Sequence, residues 1–129
     1  MTDDFCPIAA ATDLLGQKWT LLIIHHLHEA TPQRVRFCEL QKKLGGLNPA
    51  TLSQRLKLLE GEGLVERTEV NALPPHVEYG LTRKGGDLGP VVEGLNAWGG
   101  RWLKPAQAKS IEIKKMILTR RQRIRNRFA

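Results

Sequence analysis

The 129-residue sequence has few aromatic side chains (three Trp, one Tyr and three Phe) and only two cysteines, Cys6 and Cys38. Two cysteines without ligand spacing exclude a disulfide scaffold or a cysteine-rich zinc site. No apolar run approaches the roughly eighteen residues of a transmembrane helix, and the acidic start, MTDDFCPIAA, lacks a signal-peptide layout. These absences predict one modest globular core, a cytoplasmic location and no membrane partner.

The formal net charge of +7 is distributed very unevenly along the chain. Residues 1–103 contain 11 Lys and Arg against 12 Asp and Glu, a net charge of −1, whereas residues 104–129 contain 9 basic residues and one acid, a net charge of +8. We therefore divide the sequence into a near-neutral domain, 1–103, and a basic C-terminal tail or helix, 104–129. Because the domain is not basic overall, it needs locally placed cations to bind a polyanion.

The first part of the domain contains a series of short helical patterns. Pro7–Leu15 is predicted as a helix, since proline suits the first helical position. Lys18–Glu29 is apolar over most of its circumference, which predicts a central core helix. The polar segment Ala30–Val35 is predicted as a loop, and Phe37–Leu44 as a short helix that ends at Gly45-Gly46.

The most informative stretch of the chain extends from Asn48 to Leu81. Asn48 is a good N-cap and Pro49 a good first residue, so a further helix is predicted from there to about Glu60. Two strands should follow, the second at His76–Leu81, joined through a turn at residues 71–75. Two helices around a glycine turn, followed by a hairpin, predict a mostly α winged helix-turn-helix with a small β-hairpin, a fold that binds DNA.

The last predicted helix extends from Arg83 to Leu103. Its apolar residues recur at spacings of 3, 4, 3 and 4, which is typical of a helix that packs along another helix. The members of this apolar seam are Leu88, Val91, Leu95, Trp98 and Trp102. We expect the seam to form a dimer interface together with the first helix. The alternative is that it closes the core of a single chain.

Four segments taken together resemble the HxlR-type winged helix-turn-helix regulators of bacteria, within the MarR-like superfamily. In chain order they are CPIAAATDLLGQKWTLLIIHHL, RFCEL, NPATLSQRLKLLEGEGLVER and PPHVEYGLTRKG. The resemblance extends from about Cys6 to Trp102. It implies a homodimeric transcription factor with N- and C-terminal dimerisation helices. Such a protein would bind double-stranded DNA at a palindromic operator and respond to a small electrophile or oxidant. No cofactor is expected.

The outward face of the Asn48–Glu60 helix is the predicted DNA-reading surface. With Leu52 taken as the inward direction, Leu56 and Leu59 stay within about 40° of it at 100° per residue. We assign base reading to Ala50, Ser53, Gln54 and Lys57, and phosphate contact to Thr51 and Arg55. A glutamine suits adenine, and a lysine suits guanine or a phosphate. The alternative is a solvated polar face.

Neighbouring elements contribute further candidate DNA contacts. Lys42 and Lys43, in the preceding helix, are expected to hold a phosphate. Arg67 and His76 are expected to flank the wing turn, whose tip is stiffened by Pro74-Pro75. A rigid tip lowers the entropy lost when the wing meets the DNA backbone.

We expect a repressor, since occupying a promoter blocks polymerase without any activating surface. The alternative function is a winged-helix module for protein–protein interaction without sequence-specific DNA binding. An enzyme is not expected, because the sequence contains no nucleophile motif, paired catalytic carboxylates or glycine-rich phosphate loop.

The cysteines and histidines are the remaining candidate functional residues. Cys6 lies at a helix start, where free N–H groups and the helix dipole favour the thiolate; with the resemblance, this suggests a redox sensor rather than an inert residue. Cys38 should point outward, as a resolving partner or an inert surface cysteine. His25, His26 and His28 invite a metal-site interpretation, since His25 and His28 share a helix face. Glu29 is adjacent, but no carboxylate or cysteine completes a set with ligand spacing, so we expect packed or interface histidines rather than a metal site.

The basic tail contains RRQRIRNRF and a series of apolar residues at 4- and 7-residue offsets, which are Ile113, Ile117, Ile124 and Phe128. Three interpretations remain open: an arm on the DNA backbone, a disordered tail, and a helix on a membrane surface or partner. We favour the first, which predicts that deleting residues 104–129 lowers the salt dependence of DNA binding.

Overall fold

The structure, a computed structural model, describes residues 4–103, so the predicted arm or helix at 104–129 lies outside the described residues. The described elements are α1 (Pro7–Leu15), α2 (Thr20–Ala30), β1 (Val35–Arg36), α3 (Phe37–Lys43), α4 (Pro49–Gly61), β2 (Val65–Val70), β3 (His76–Leu81), α5 (Arg83–Gly86) and α6 (Gly89–Trp102). Between Glu93 and Gly94 the chain divides into two compact units. Among the described helices, none combines the length and apolarity that a membrane crossing requires.

The two helices of the predicted helix-turn-helix are α3 and α4, and the turn between them depends on glycine. Gly45 and Gly46 have φ values of 74° and 79°, a left-handed conformation that glycine adopts without a Cβ clash. The side chain of Asn48 then accepts a hydrogen bond of 2.8 Å from the backbone N–H of Ala50. This cap satisfies one of the free donors at the start of α4 and confirms the predicted helix start.

The core of the first unit is an aliphatic cluster in which α2 and α4 contribute most of the fully buried side chains. Ile23, Ile24 and Leu27 of α2 and the stripe Leu52, Leu56 and Leu59 of α4 are all at most 1% exposed. The predicted inward direction of α4 is thereby confirmed. Since the leucine stripe occupies one side of the helix, the opposite side of α4 is directed away from the core.

The sheet has three antiparallel strands in the order β1-β3-β2. The predicted hairpin is confirmed as β2 and β3, with Val65 opposite Leu81 and Val70 opposite His76. The prediction of a loop up to Val35 is wrong at its end, because Val35 pairs with Tyr79 and is buried. That pairing joins segments far apart in the sequence, so the local polarity of residues 30–34 did not reveal it.

The continuous helix predicted over residues 83–103 is also wrong, since it is divided into α5 and α6. The hydroxyl of Thr82 accepts a hydrogen bond from the N–H of Gly85 at 3.0 Å and thereby caps α5. A Cβ atom on Gly85 would lie 2.0 Å from the carbonyl oxygen of Leu64, so the first turn packs directly on the start of β2. Gly85 allows that close backbone approach, and the glycines of this segment lower its helix propensity.

Candidate nucleic-acid interface

The side of α4 opposite the leucine stripe is polar and accessible. Gln54, Lys57 and Ala50 are exposed, and Thr51 and Ser53 are partly exposed. Small residues near the start of the helix let its backbone approach a groove closely, while the longer Gln54 and Lys57 side chains extend from the same surface. The structure therefore brings the predicted base-reading residues together on one face of α4.

The lysines on and near this face differ from Arg55 in their interactions. Within residues 4–103, Lys42, Lys43 and Lys57 form no ion pair, so their ammonium groups are available to phosphates. Arg55 instead donates from Nε to the backbone carbonyl of Lys18 at 3.1 Å, which ties α4 to the segment before α2. Arg55 therefore stabilises the position of the helix, a role that the sequence pattern did not indicate.

The wing cations predicted to contact DNA are paired with carboxylates of their own strand. Arg67 donates from Nη1 to Glu69 Oε1 at 2.9 Å, and His76 Nε2 lies 2.8 Å from Glu78 Oε2. The hydrogen bond to Glu69, and then that to Tyr79, raise the pKa of the Arg67 guanidinium above its ordinary value. Both pairs bring a negative charge to the wing, which weakens its attraction for phosphate.

The expected position of Arg67 beside the wing turn is wrong. In the strand ladder Arg67 is opposite Tyr79, whereas the ladder ends at the turn with Val70 opposite His76. Of the two residues predicted to flank the wing turn, only His76 therefore borders residues 71–75. At the tip of this turn Leu73 is 98% exposed, so the wing carries an apolar as well as a polar contact surface.

An open groove of about 370 Å³ joins the outer face of α4 to the wing. It is lined by Phe37, Ser53, Lys57, Glu60, Arg67, Val77 and Tyr79. Arg67 thus lies beside α4 rather than at the wing tip. The groove brings residues of α4 together with residues of the β2–β3 hairpin, as in a winged helix-turn-helix.

The apolar seam of the last helix differs along its length. Leu88 is partly buried and packs against the core cluster. Val91, Leu95, Trp98 and Trp102 are between 46% and 59% exposed in the single chain. Helix α1 has no buried residue, and its Ile8 is 73% exposed. Two helices that were predicted to dimerise therefore both present accessible apolar side chains.

The two cysteines are free thiols and both are exposed. Cys6 is the N-cap residue of α1 and has an extended backbone, and its carbonyl accepts a hydrogen bond from the N–H of Ala10 at 3.0 Å. Its thiol therefore lies at the positive end of the helix dipole. Cys38 lies in the first turn of α3, and its exposure confirms the predicted outward direction.

His25 and His28 of α2, which share a helix face, contact different carboxylates. His25 and His26 both lie beside Glu29, whereas His28 Nε2 contacts Glu93 Oε1 at 2.8 Å. A Cβ atom on Gly89 would meet the His28 ring at 2.6 Å, so this ring packs closely on the start of α6. Glu29 is adjacent to these histidines in the sequence, whereas the contact of His28 with Glu93 depends on the fold.

Together, the capped and exposed helix α4, the adjacent wing and the shared groove define a winged helix-turn-helix regulator of the MarR-like type. The HxlR-like helix-turn-helix family model matches residues 14–107, and the chain belongs to that family. It is a helix-turn-helix transcriptional regulator. The resemblance inferred from the sequence motifs is thereby confirmed.

Individual relatives agree with this assignment. An HTH-type transcriptional regulator of Halalkalibacterium halodurans is 45% identical over 93 residues, 72% of this chain and 80% of that protein. The reduced form of the regulator YodB from Bacillus subtilis superimposes with a TM-score of 0.65 at 35% identity, over 78% of this chain and 97% of YodB. The redox regulator HypR in its oxidized form superimposes with a TM-score of 0.65 at 32% identity, over 73% of this chain and 94% of HypR.

Proposed function

We propose that the protein is a homodimeric repressor that binds a palindromic operator, with α4 in the major groove and the wing on the flanking backbone. The observation that carries this proposal is the exposed polar face of α4, which lies opposite a fully buried leucine stripe and continues into the wing. A two-fold dimer would present two such faces to half-sites about 34 Å apart, one turn of DNA.

The proposed contacts fall into two classes. Ala50, Ser53, Gln54 and Lys57 read base edges, while Thr51, Arg55, Lys42, Lys43, Arg67 and His76 contact phosphates or position the protein on them. Of the second class, the lysines contribute most, because Arg67 and His76 already pair with carboxylates and Arg55 is hydrogen bonded within the protein. Base contacts determine specificity, whereas phosphate contacts add affinity for any duplex.

Binding of the full chain to its own promoter region and to a random duplex of equal length tests the proposal. Gln54→Ala should lower affinity for the promoter by about 5- to 150-fold and leave random DNA nearly unchanged, since a bidentate base contact is worth about 1–3 kcal/mol. Lys43→Ala should weaken both duplexes by similar factors. Equal losses for both variants on both duplexes would contradict the assigned reading face, and absence of promoter binding would favour the protein-interaction module.

We further propose that Cys6 is a thiol sensor for oxidants or electrophiles. Its thiol is exposed at the start of α1, one of the two helices with accessible apolar side chains, so a covalent change there is well placed to alter a dimer interface. HypR, a redox regulator, is a structural relative of the chain. Cys38, in α3, is the candidate resolving thiol.

The thiol proposal is tested by adding diamide, which removes the two hydrogens when two thiols form a disulfide. We expect the treated protein to lose promoter affinity and to run as a covalent dimer on a non-reducing gel, with reversal by dithiothreitol. Cys6→Ser should abolish both effects. Cys38→Ser should abolish the covalent dimer only if Cys38 is the resolving thiol. Unchanged affinity and unchanged mass in the wild-type protein would rule out the switch.

A further inference from the structure

The second half of α2 carries a cluster of imidazole and carboxylate groups outside the DNA-reading face. His25, His26 and Glu29 occupy positions i, i+1 and i+4 of this helix. At 100° per residue Glu29 lies about 40° from His25 and about 60° from His26, so it falls between them around the helix. The cluster is accessible, because the two histidine side chains are 30% and 20% exposed and that of Glu29 is 54% exposed.

The three side chains converge at the carboxylate of Glu29. Its Oε1 atom contacts His25 Nε2 and lies 4.0 Å from His26 Nδ1. One ligand atom from each of the three residues lies within 4.8 Å of the other two. A zinc ion holds its nitrogen and oxygen ligands at about 2.0–2.2 Å, so the three side chains must rotate toward one another to bind one ion.

Other histidines of the described chain lie outside this cluster. His28 and His76 each contact a separate glutamate, Glu93 and Glu78 respectively.

We propose that His25, His26 and Glu29 form a binding site for one divalent transition-metal ion of the zinc class, with water completing its coordination. Two imidazoles and one carboxylate are a common open zinc ligand set, whereas magnesium and calcium prefer oxygen ligands throughout. No metal site was predicted from the sequence, because no carboxylate or cysteine completed a set with ligand spacing. None of the three proposed ligands is among the proposed DNA contacts.

Zinc titration of the full chain tests the site. The protein is purified without a histidine tag and carries Cys6→Ser and Cys38→Ser, so that neither thiol contributes a ligand. Isothermal titration with zinc chloride should show one ion per chain, and cobalt(II) should give the visible absorption of a site with nitrogen ligands. His25→Ala, His26→Ala and Glu29→Gln should each weaken zinc binding at least tenfold.

His28→Ala and His76→Ala are the matched controls, since both remove a histidine that faces a glutamate outside the cluster. They should leave zinc affinity within twofold of the parent. Absence of a one-to-one zinc complex, or equal losses in the control variants, would overturn the proposal. Glu29→Gln keeps the shape of the side chain, and circular dichroism of each variant verifies that the fold is retained.

Discussion

At the scale of single residues, cations that look equivalent in the sequence have different contacts in the structure. Arg55, Arg67, Lys42 and Lys43 are all cations near the predicted DNA surface, yet the two arginines are engaged within the protein and the two lysines form no described ion pair. Arg67 pairs with a carboxylate, which weakens its attraction for phosphate, whereas Arg55 donates to a backbone carbonyl. These partners are determined by the fold, so a list of cations in the sequence overestimates the number that are free to bind DNA.

Two adjacent glycines of α5 give a prediction at this scale. Gly85→Ala should lower the free energy of unfolding by about 1–3 kcal/mol, because the new Cβ would overlap the carbonyl oxygen of Leu64. Gly86→Ala is the control, since nothing lies within 4 Å of its Cβ position, and it should change stability by less than about 1 kcal/mol. Urea unfolding at equal protein concentration measures both, and equal effects would contradict the close packing of Gly85.

At the scale of elements, helix α4 combines strong local signals with tertiary support. Its cap and its leucine stripe are local in sequence, and both were predicted from residue spacing. Its attachment through Arg55 to the carbonyl of Lys18 is not local and was not predicted. The helix is therefore started by its own sequence and oriented by contacts with the rest of the domain.

The cap of α4 gives a prediction for this element. Asn48→Ala should lower the free energy of unfolding by about 0.5–2 kcal/mol, because the N–H of Ala50 loses its side-chain acceptor. Asn48→Asp retains an acceptor at the same position and should stay within about 0.5 kcal/mol of the parent. Thermal or urea unfolding followed by circular dichroism distinguishes them. Equal stability of the alanine variant would show that the cap contributes nothing.

At the scale of the whole molecule, the proposed dimer depends on side chains that are exposed in one chain. Leu95→Glu, in the exposed seam of α6, should convert the dimer to a monomer, because a charge buried in an apolar interface is strongly unfavourable. Leu73→Glu introduces the same charge at the exposed wing tip and should leave the dimer intact. Sedimentation equilibrium measures both masses, and a dimeric Leu95→Glu variant would place the interface elsewhere.

The basic tail gives a second prediction for the whole molecule. Replacing its five arginines (Arg120, Arg121, Arg123, Arg125 and Arg127) by glutamine should reduce the slope of log affinity against log salt by about 0.9 for each phosphate that these arginines neutralise in the parent protein. Replacement by lysine conserves charge and should leave the slope nearly unchanged. Promoter binding between low and moderate salt measures the slope. An unchanged slope in the glutamine variant would exclude a DNA-binding arm.

Features that depend on near neighbours along the chain could be predicted from the amino-acid sequence. Helix α1 and strand β3 have the predicted ends, and the buried face of α4 follows from the spacing of its leucines. Local periodicity suffices for these features because the same few residues form the element and its apolar face. The helix-turn-helix could therefore be predicted from local patterns, whereas the family was inferred from the resemblance of four sequence segments.

Features that join distant segments required the folded chain. The tertiary structure placed Val35 in the sheet opposite Tyr79, divided the last helix where Gly85 meets Leu64, and grouped His26 rather than His28 with His25 and Glu29. The spacing of residues on a helix limits which side chains can meet. Rotamers and packing against other elements then determine which of these contacts form. Close contacts of this kind depend on the folded backbone, and the sequence pattern alone does not contain them.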